Sequence, residues 1–245
     1  MAVFGNVMMV FNRNTDPLIP LDNFISYWKF NGNALDSVGS NNGTPTSITY
    51  PTGLIGQAAD FNGTTSKVVV PDAANLSFGN GTSDVDFSTI TLIKFDDLSN
   101  NPRIAIKIKA DGTGYEYVVL TLLSKLISSL FDSSTGGNLA PETTNTITLN
   151  QWVVLTTTYK ASTKDLKLYI NNDAITTDVS SGTYVAMENS TASLNIGFDP
   201  RYEKVLNGQI NAFALMNVTL TPEQVAYAVD RYLTANEHLI QWKLN

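Results

Sequence analysis

The chain has 245 residues, 43% of them hydrophobic and only 15% charged, with a formal net charge of −7. A chain this long buries roughly 70% of its unfolded surface as one domain, and 15 lysines and arginines in an acidic background exclude the basic footprint of a nucleic-acid binder. No apolar run is long enough to span a membrane, and the absence of cysteine removes disulfides and thiolate metal sites.

The N-terminal stretch MAVFGNVMMVFNRN is apolar and has no basic residue before Arg13. It therefore lacks the charged start of a secretory signal and reads as an edge strand or docking arm. Pro17 and Pro20 mark a linker over 12–23. The expected boundaries are an arm and linker over 1–23, a folded domain over 24–236 and an apolar tail over 237–245.

Phe24, Ser26, Trp28 and Phe30 alternate onto one face of a first strand, and NGNALDSVGSNNGT then supplies the glycines and asparagines of tight turns. Short alternating segments recur at 25–30, 66–70, 88–95, 103–109, 115–123, 152–159, 166–171, 193–197 and 208–216, bounded by Gly, Asn, Asp, Ser or Pro. So many strands require two packed antiparallel sheets. The clearest pair is 151–172. Val153, Leu155, Thr157 and Tyr159 face opposite to Trp152, Val154, Thr156 and Thr158, and after the turn Leu166, Leu168 and Ile170 form one apolar row.

YEYVVLTLLSKLISSLF, 115–131, reads as two strands turning at Ser124 and Lys125 or as an apolar face directed at a partner, and 132–150 reads as an exposed loop. One helix is expected after Leu220: Thr221 as N-cap, Pro222 at the first position and Gln224 closing a capping box, with an apolar stripe of Val225, Ala228, Val229, Tyr232 and Leu233. The tail HLIQWKLN is too apolar to remain in water, so it folds back on the domain or docks on another chain.

Four stretches in order, ISYWKFNGNALDSVGSNNGT, GLIGQAADFNGTTSKVVVP, the 151–172 hairpin and LNGQINAFALMNVTLTPEQVAYAV, resemble the laminin-G-like branch of the concanavalin A-like lectin/glucanase superfamily. The resemblance covers 25–230 and implies an all-β, jelly-roll-like sandwich of two antiparallel sheets with one short C-terminal helix. It also places Trp28, Phe61, Trp152 and Tyr169 in the sandwich core. Gly56 and Gly63 are read as turn or bulge positions.

Glycoside hydrolysis needs two carboxylates facing one bond. The six glutamates are scattered, Glu116 has no second acid two to four residues away, and Asp96 and Asp97 fall in a turn. His238 is the single histidine, too few for a zinc site or a Ser-His-Asp relay within one chain. The reading is therefore not an enzyme. Relatives of this type hold a structural calcium between an acid of the first turn and one in the penultimate strand. Asp36 matches the first position, but Asn211 stands at the second, so any calcium site is weakened by one charge. The family's sugar contacts use exposed rings, for which Tyr115, Tyr117, Tyr184 and Tyr202 are the candidates.

Two functions follow. The first is a non-enzymatic structural or decoration protein of a bacteriophage virion, on the capsid or tail surface, bound to other virion proteins or to copies of itself and adhering weakly to glycans or the host surface. The alternative is a carbohydrate-binding module of a bacterial surface or secreted protein.

Overall fold

The computed structural model describes residues 19–109, 111–174, 176–234, 237 and 239. The first half of the chain forms β1 (Phe24–Trp28), β2 (Thr44–Thr46), β3 (Ala59–Asn62), β4 (Lys67–Val70), β5 (Phe87–Asp97), β6 (Arg103–Lys107) and β7 (Tyr117–Leu122). β8 (Lys125–Asp132), β9 (Gly137–Leu139), β10 (Pro141–Thr143), β11 (Trp152–Lys160), β12 (Asp165–Ile170) and β13 (Thr176–Asp178) follow. β14 (Leu194–Ile196), β15 (Phe198–Asp199), β16 (Lys204–Val205) and β17 (Asn207–Met216) precede the helix α1 (Pro222–Val229).

The first sheet runs β1-β17-β5-β11-β12, with β3 also on β17; the second runs β13-β10-β8-β7-β6-β14-β4-β2, with β9 on β8. Every strand pair is antiparallel, as expected of an all-β sandwich.

Side chains alternating inward from both sheets form one large core. Trp28 stacks on Phe213 at 5.6 Å, and Phe87 joins Phe78, Tyr117 and Tyr159 in an aromatic group that crosses from one sheet to the other. The β11–β12 hairpin alternates as expected, with Val153, Leu155, Tyr159, Leu166, Leu168 and Ile170 in this core. Gly56 and Gly63 have positive φ, and at Gly63 a Cβ would lie 3.1 Å from the Asn207 side chain.

The outer face of the first sheet is buried too. Tyr27, Ile90, Leu92, Val154, Tyr169, Ala212, Ala214 and Met216 meet Val225, Ala228, Val229 and Tyr232 of the helical segment in a second apolar cluster. This corrects the expectation for two aromatics: Tyr169 is buried here rather than between the sheets, and Trp152 is only partly buried, against this cluster and near the Lys94 ammonium. Phe24 also falls in this cluster, because a bulge between Phe24 and Ser26 breaks the alternation.

The helix begins as expected. The Thr221 hydroxyl accepts from Gln224 N, and the Gln224 amide oxygen accepts from Thr221 N, with Pro222 in the first turn. A π turn over Asp230–Thr234 carries Tyr232 onto the sheet, where its hydroxyl lies 3.0 Å from that of Tyr27. Leu239 packs against the same cluster, and its N–H donates to the Tyr27 hydroxyl. Residues 1–18 of the expected arm and linker (1–23) and residues 238 and 240–245 of the expected tail (237–245), His238 among them, lie outside the described residues.

Two segments differ from expectation. The apolar run 115–131 does form two strands, but the turn is Leu123 and Ser124, both with positive φ. The stretch 132–150 is not a plain loop. Asp132 is buried and accepts from Ser134 and Thr135 N at 3.1 and 3.0 Å and from Val185 N at 2.8 Å, which draws β9 and β10 into the sheet. A Cβ at Gly137 would lie 2.1 Å from Thr183 O, so only glycine permits that approach.

Candidate functional site

The outer face of the second sheet has a much smaller apolar cluster, Ile106, Ile108 and Val118, flanked by partly buried Tyr115, Leu120 and Phe131. No helix covers it among the described residues. Instead the β15–β16 hairpin sits beside β6, held by the buried Asp199. One Asp199 oxygen accepts from Arg201 N and Tyr202 N at 2.9 and 3.2 Å, and the other from Arg103 Nε at 3.0 Å. A carboxylate that pins the turn backbone leaves the turn side chains to project outward.

Arg201 and Tyr202 are those side chains. The Arg201 guanidinium lies 4.7 Å from the Tyr202 ring centroid and 5.9 Å from that of Tyr115, and Tyr115 in turn contacts Phe131 at 4.3 Å. Burial raises the Tyr115 phenol pKa, and its hydrogen bond with Arg201 partly offsets this. Gly112 lies beneath the guanidinium: a Cβ there would be 2.9 Å from Arg201 Nε, and the backbone has φ +80°. Tyr202 is 51% exposed. Two rings and a planar cation thus lie side by side on this face.

The four candidate tyrosines divide. Tyr115 and Tyr202 come together through Arg201. Tyr117 is in the core, its hydroxyl donating to Leu76 O at 3.0 Å, so its ring presents no face to a ligand. Tyr184 is buried and belongs elsewhere: it and Tyr159 both donate to Asp84 Oδ2 at 2.6 Å, and Met187 N donates to Asp84 Oδ1. Burial, reinforced by Asp84, raises both phenol pKa values. Sequence reasoning missed Arg201 and Phe131; the only cue was the Pro-Arg-Tyr turn closing on a single acid.

Asp84 and Asp86 line a cleft of about 550 Å³ with Thr82, Ser162, Lys164 and Val185. Both acids are engaged, Asp84 by two phenols and Asp86 by Lys160 Nζ at 2.6 Å. A second cleft, of about 490 Å³, is lined by Asn145, Thr148, Gln151, Asn171 and Asp173 above Val153 and Ile170.

The two calcium candidates hold separate loops. Asp36 accepts from Tyr27 N and Val38 N through one oxygen and from Asn41 N through the other, fixing the 36–41 turn. Asn211 is fully buried; its Oδ1 accepts from Ile55 N at 2.7 Å, while Nδ2 donates to Ile55 O and Gln57 O at 2.8 and 2.9 Å. A carboxylate at 211 would confront those two carbonyls with like partial charge and would need a cation between them, whereas the amide supplies N–H donors. Among the described residues no three acids or histidines gather into a metal-binding group.

Residues 62–226 match the family profile described as the concanavalin A-like lectin/glucanases superfamily. The chain belongs to this superfamily. Among solved structures, this superfamily member is similar to domain 4 of an extracellular GH43 arabinanase from Geobacillus stearothermophilus, in complex with arabinotriose. The TM-score is 0.63 at 22% identity over 84% of this chain and 98% of that one. It is also similar to the binding domain of Paraclostridial Mosquitocidal Protein 1, with a TM-score of 0.69 at 16% identity over 87% of this chain and 53% of that one. The binding domain of botulinum neurotoxin serotype G gives 0.65 at 16% identity over 87% and 52%. The chain therefore spans about half the length of these toxin domains and nearly all of the arabinanase domain. At these identities the likeness establishes the fold. A search of curated proteins finds no match.

Proposed function

We propose that the chain is a non-catalytic glycan-binding module, and that the Tyr115–Arg201–Tyr202 platform with Phe131 is its contact surface. The observation that carries this is the platform itself: aromatic rings held by a guanidinium on a sheet face that no helix covers among the described residues. Sugars present a C–H face that stacks on such rings and hydroxyls that hydrogen-bond beside them. The fold is that of an arabinanase domain solved with arabinotriose and of toxin binding domains, which supports binding over catalysis. The calcium candidates Asp36 and Asn211 belong to the first sheet and its loops, apart from this surface.

The proposed sandwich domain spans 24–236, with Leu239 of the tail docked on its helix side. The virion reading, drawn from the laminin-G-like resemblance, the absence of cysteine and of a catalytic set, and the apolar stretches at both ends, has less behind it than the glycan reading, which the likeness to the arabinanase and toxin binding domains supports. No helix among the described residues is long and apolar enough to cross a membrane. Surface display and secretion both suit such a module.

Titration calorimetry against arabino-oligosaccharides and a panel of neutral and acidic glycans tests the proposal. Tyr202→Ala should weaken the best ligand at least tenfold, about 1.4 kcal/mol, with an unchanged melting curve. Binding that survives both Tyr202→Ala and Arg201→Ala at full strength would move the site to one of the two clefts.

A further inference from the structure

One charged cluster lies apart from the surface just described. Lys107 on β6 is fully buried, and its Nζ donates to Glu116 Oε1 at 2.7 Å, to Asp72 Oδ1 at 2.9 Å and to Ser190 O at 3.2 Å. Glu116, beside the start of β7, is also fully buried. Its Oε1 accepts in addition from Ser190 N and Ser190 Oγ, both at 2.7 Å, while its Oε2 is buried with no hydrogen-bond partner. Asp72 follows Pro71 at the end of β4, with its side chain 33% exposed. One amine thus sits between two carboxylates, away from water on its own side and open to water on the side of Asp72.

We propose that Lys107 and Asp72 condense to an intramolecular amide, with Glu116 as the proton carrier. With Nζ at hydrogen-bond distance from Asp72 Oδ1, the carboxyl carbon is at most one C–O bond further, and holding the two groups together replaces a bimolecular encounter by a local one. Glu116 takes a proton from the Lys107 ammonium. The freed amine adds to Asp72 Cγ, and the two protons that leave nitrogen pass through Glu116 to the departing oxygen. One C–N bond forms, one C–O bond breaks, and a single water leaves through the exposed side of Asp72. The three hydrogens of the ammonium end as one amide N–H and two hydrogens of water, so no oxidant, reductant or cofactor is needed.

Two features of the site favour the product. Condensation removes the buried Lys107 ammonium, which burial disfavours, together with the partly exposed Asp72 carboxylate, while Glu116 keeps its hydrogen bonds from Ser190 N and Oγ. The partnerless Glu116 Oε2 is an unused acceptor for the migrating proton while Oε1 stays fixed by Ser190. The bond would join β4 to β6 across β14, which lies between them in the sheet, and would be a covalent tie in a chain without cysteine.

The test is the intact mass of the full-length protein in denaturant, followed by peptide mapping. The expected result is a mass about 18 Da below that of the linear chain and a branched peptide joining the segments around residues 72 and 107. Glu116→Gln should return the linear mass, and Asp72→Asn should yield the same amide with loss of ammonia. A linear wild-type mass with no branched peptide, after prolonged incubation of folded protein at neutral pH, would overturn the proposal and leave an ion-pair cluster. An amide that forms equally fast in Glu116→Gln would overturn the role of Glu116. The wild-type measurement needs no variant to fold.

Discussion

The two sheets have unlike outer faces. That of the first is closed by α1 and the π turn over an apolar cluster containing Tyr27, Leu92, Tyr169, Met216 and Tyr232, whereas that of the second has three buried apolar residues and a rim of Tyr115, Phe131, Arg201 and Tyr202. A covered face needs aliphatic and small residues that accept a helix, and β17 supplies Ala212 and Ala214 there. An uncovered face has to place rings and charges where water reaches them. The contrast separates side chains that hold the fold from side chains available to a partner.

The largest effect should come from uncovering the first sheet. Tyr232→Ala removes a fully buried ring and should lower stability by about 3–5 kcal/mol, read from denaturant midpoints. Tyr202→Ala on the opposite side should change it by no more than about 0.5 kcal/mol. Equal losses at the two positions would break the comparison. Next is Asn211→Asp, which sets a carboxylate against the Ile55 and Gln57 carbonyls and should cost about 1–3 kcal/mol. Calcium should recover part of that loss in the variant, with little effect on the wild type, measured as melting temperature with and without chelator. Thr221→Ala should cost about 1 kcal/mol by removing the N-cap that starts the covering helix.

The smallest effects concern pH. Burial disfavours the Asp132 carboxylate, but hydrogen bonds from Ser134, Val185 and Thr135 outweigh it, so its pKa is lowered on folding. Ser180 lowers that of Asp178. Their stabilisation is complete above the unfolded value near 3.9 and is lost as pH falls below it toward the folded values. Tyr27, Tyr117 and Tyr232 behave oppositely, since burial raises their pKa values. Stability should be flat up to about pH 10 and then fall as the unfolded chain ionises first. Spectrophotometric titration should show the phenols of Tyr27, Tyr117 and Tyr232 ionising only on unfolding.

Most of the fold was legible because period-two alternation and turn residues are local signals. The β11–β12 hairpin, the capping box at Thr221 and the paired strands within 115–131 all follow from short spacings. The sequence did not reveal which apolar face a helix would cover. The resemblance places Tyr169 and Trp152 in the sandwich core, whereas alternation sets Trp152 opposite Val153 and Leu155 without saying which face looks inward. The 132–143 strands were hidden because their anchor, Asp132, bonds to a segment some fifty residues away, at Val185. At the candidate surface Tyr115 and Tyr202 were identifiable as tyrosines near turns. Their partnership depends on Arg201 and Asp199, whose roles come from a turn folded onto β6 and not from spacing.

The docking of Tyr232 and Leu239 beside Tyr27 also determines how the molecule can be presented. Leu239 is anchored on the helix side of the sandwich, one full thickness of two sheets from the Tyr202 platform. A carrier attached through a substituted side chain at Leu239 itself would therefore meet the protein from behind. On a sensor chip or a particle, such an orientation leaves the aromatic platform facing the solution, where a multivalent array of copies could engage a repetitive polymer at once.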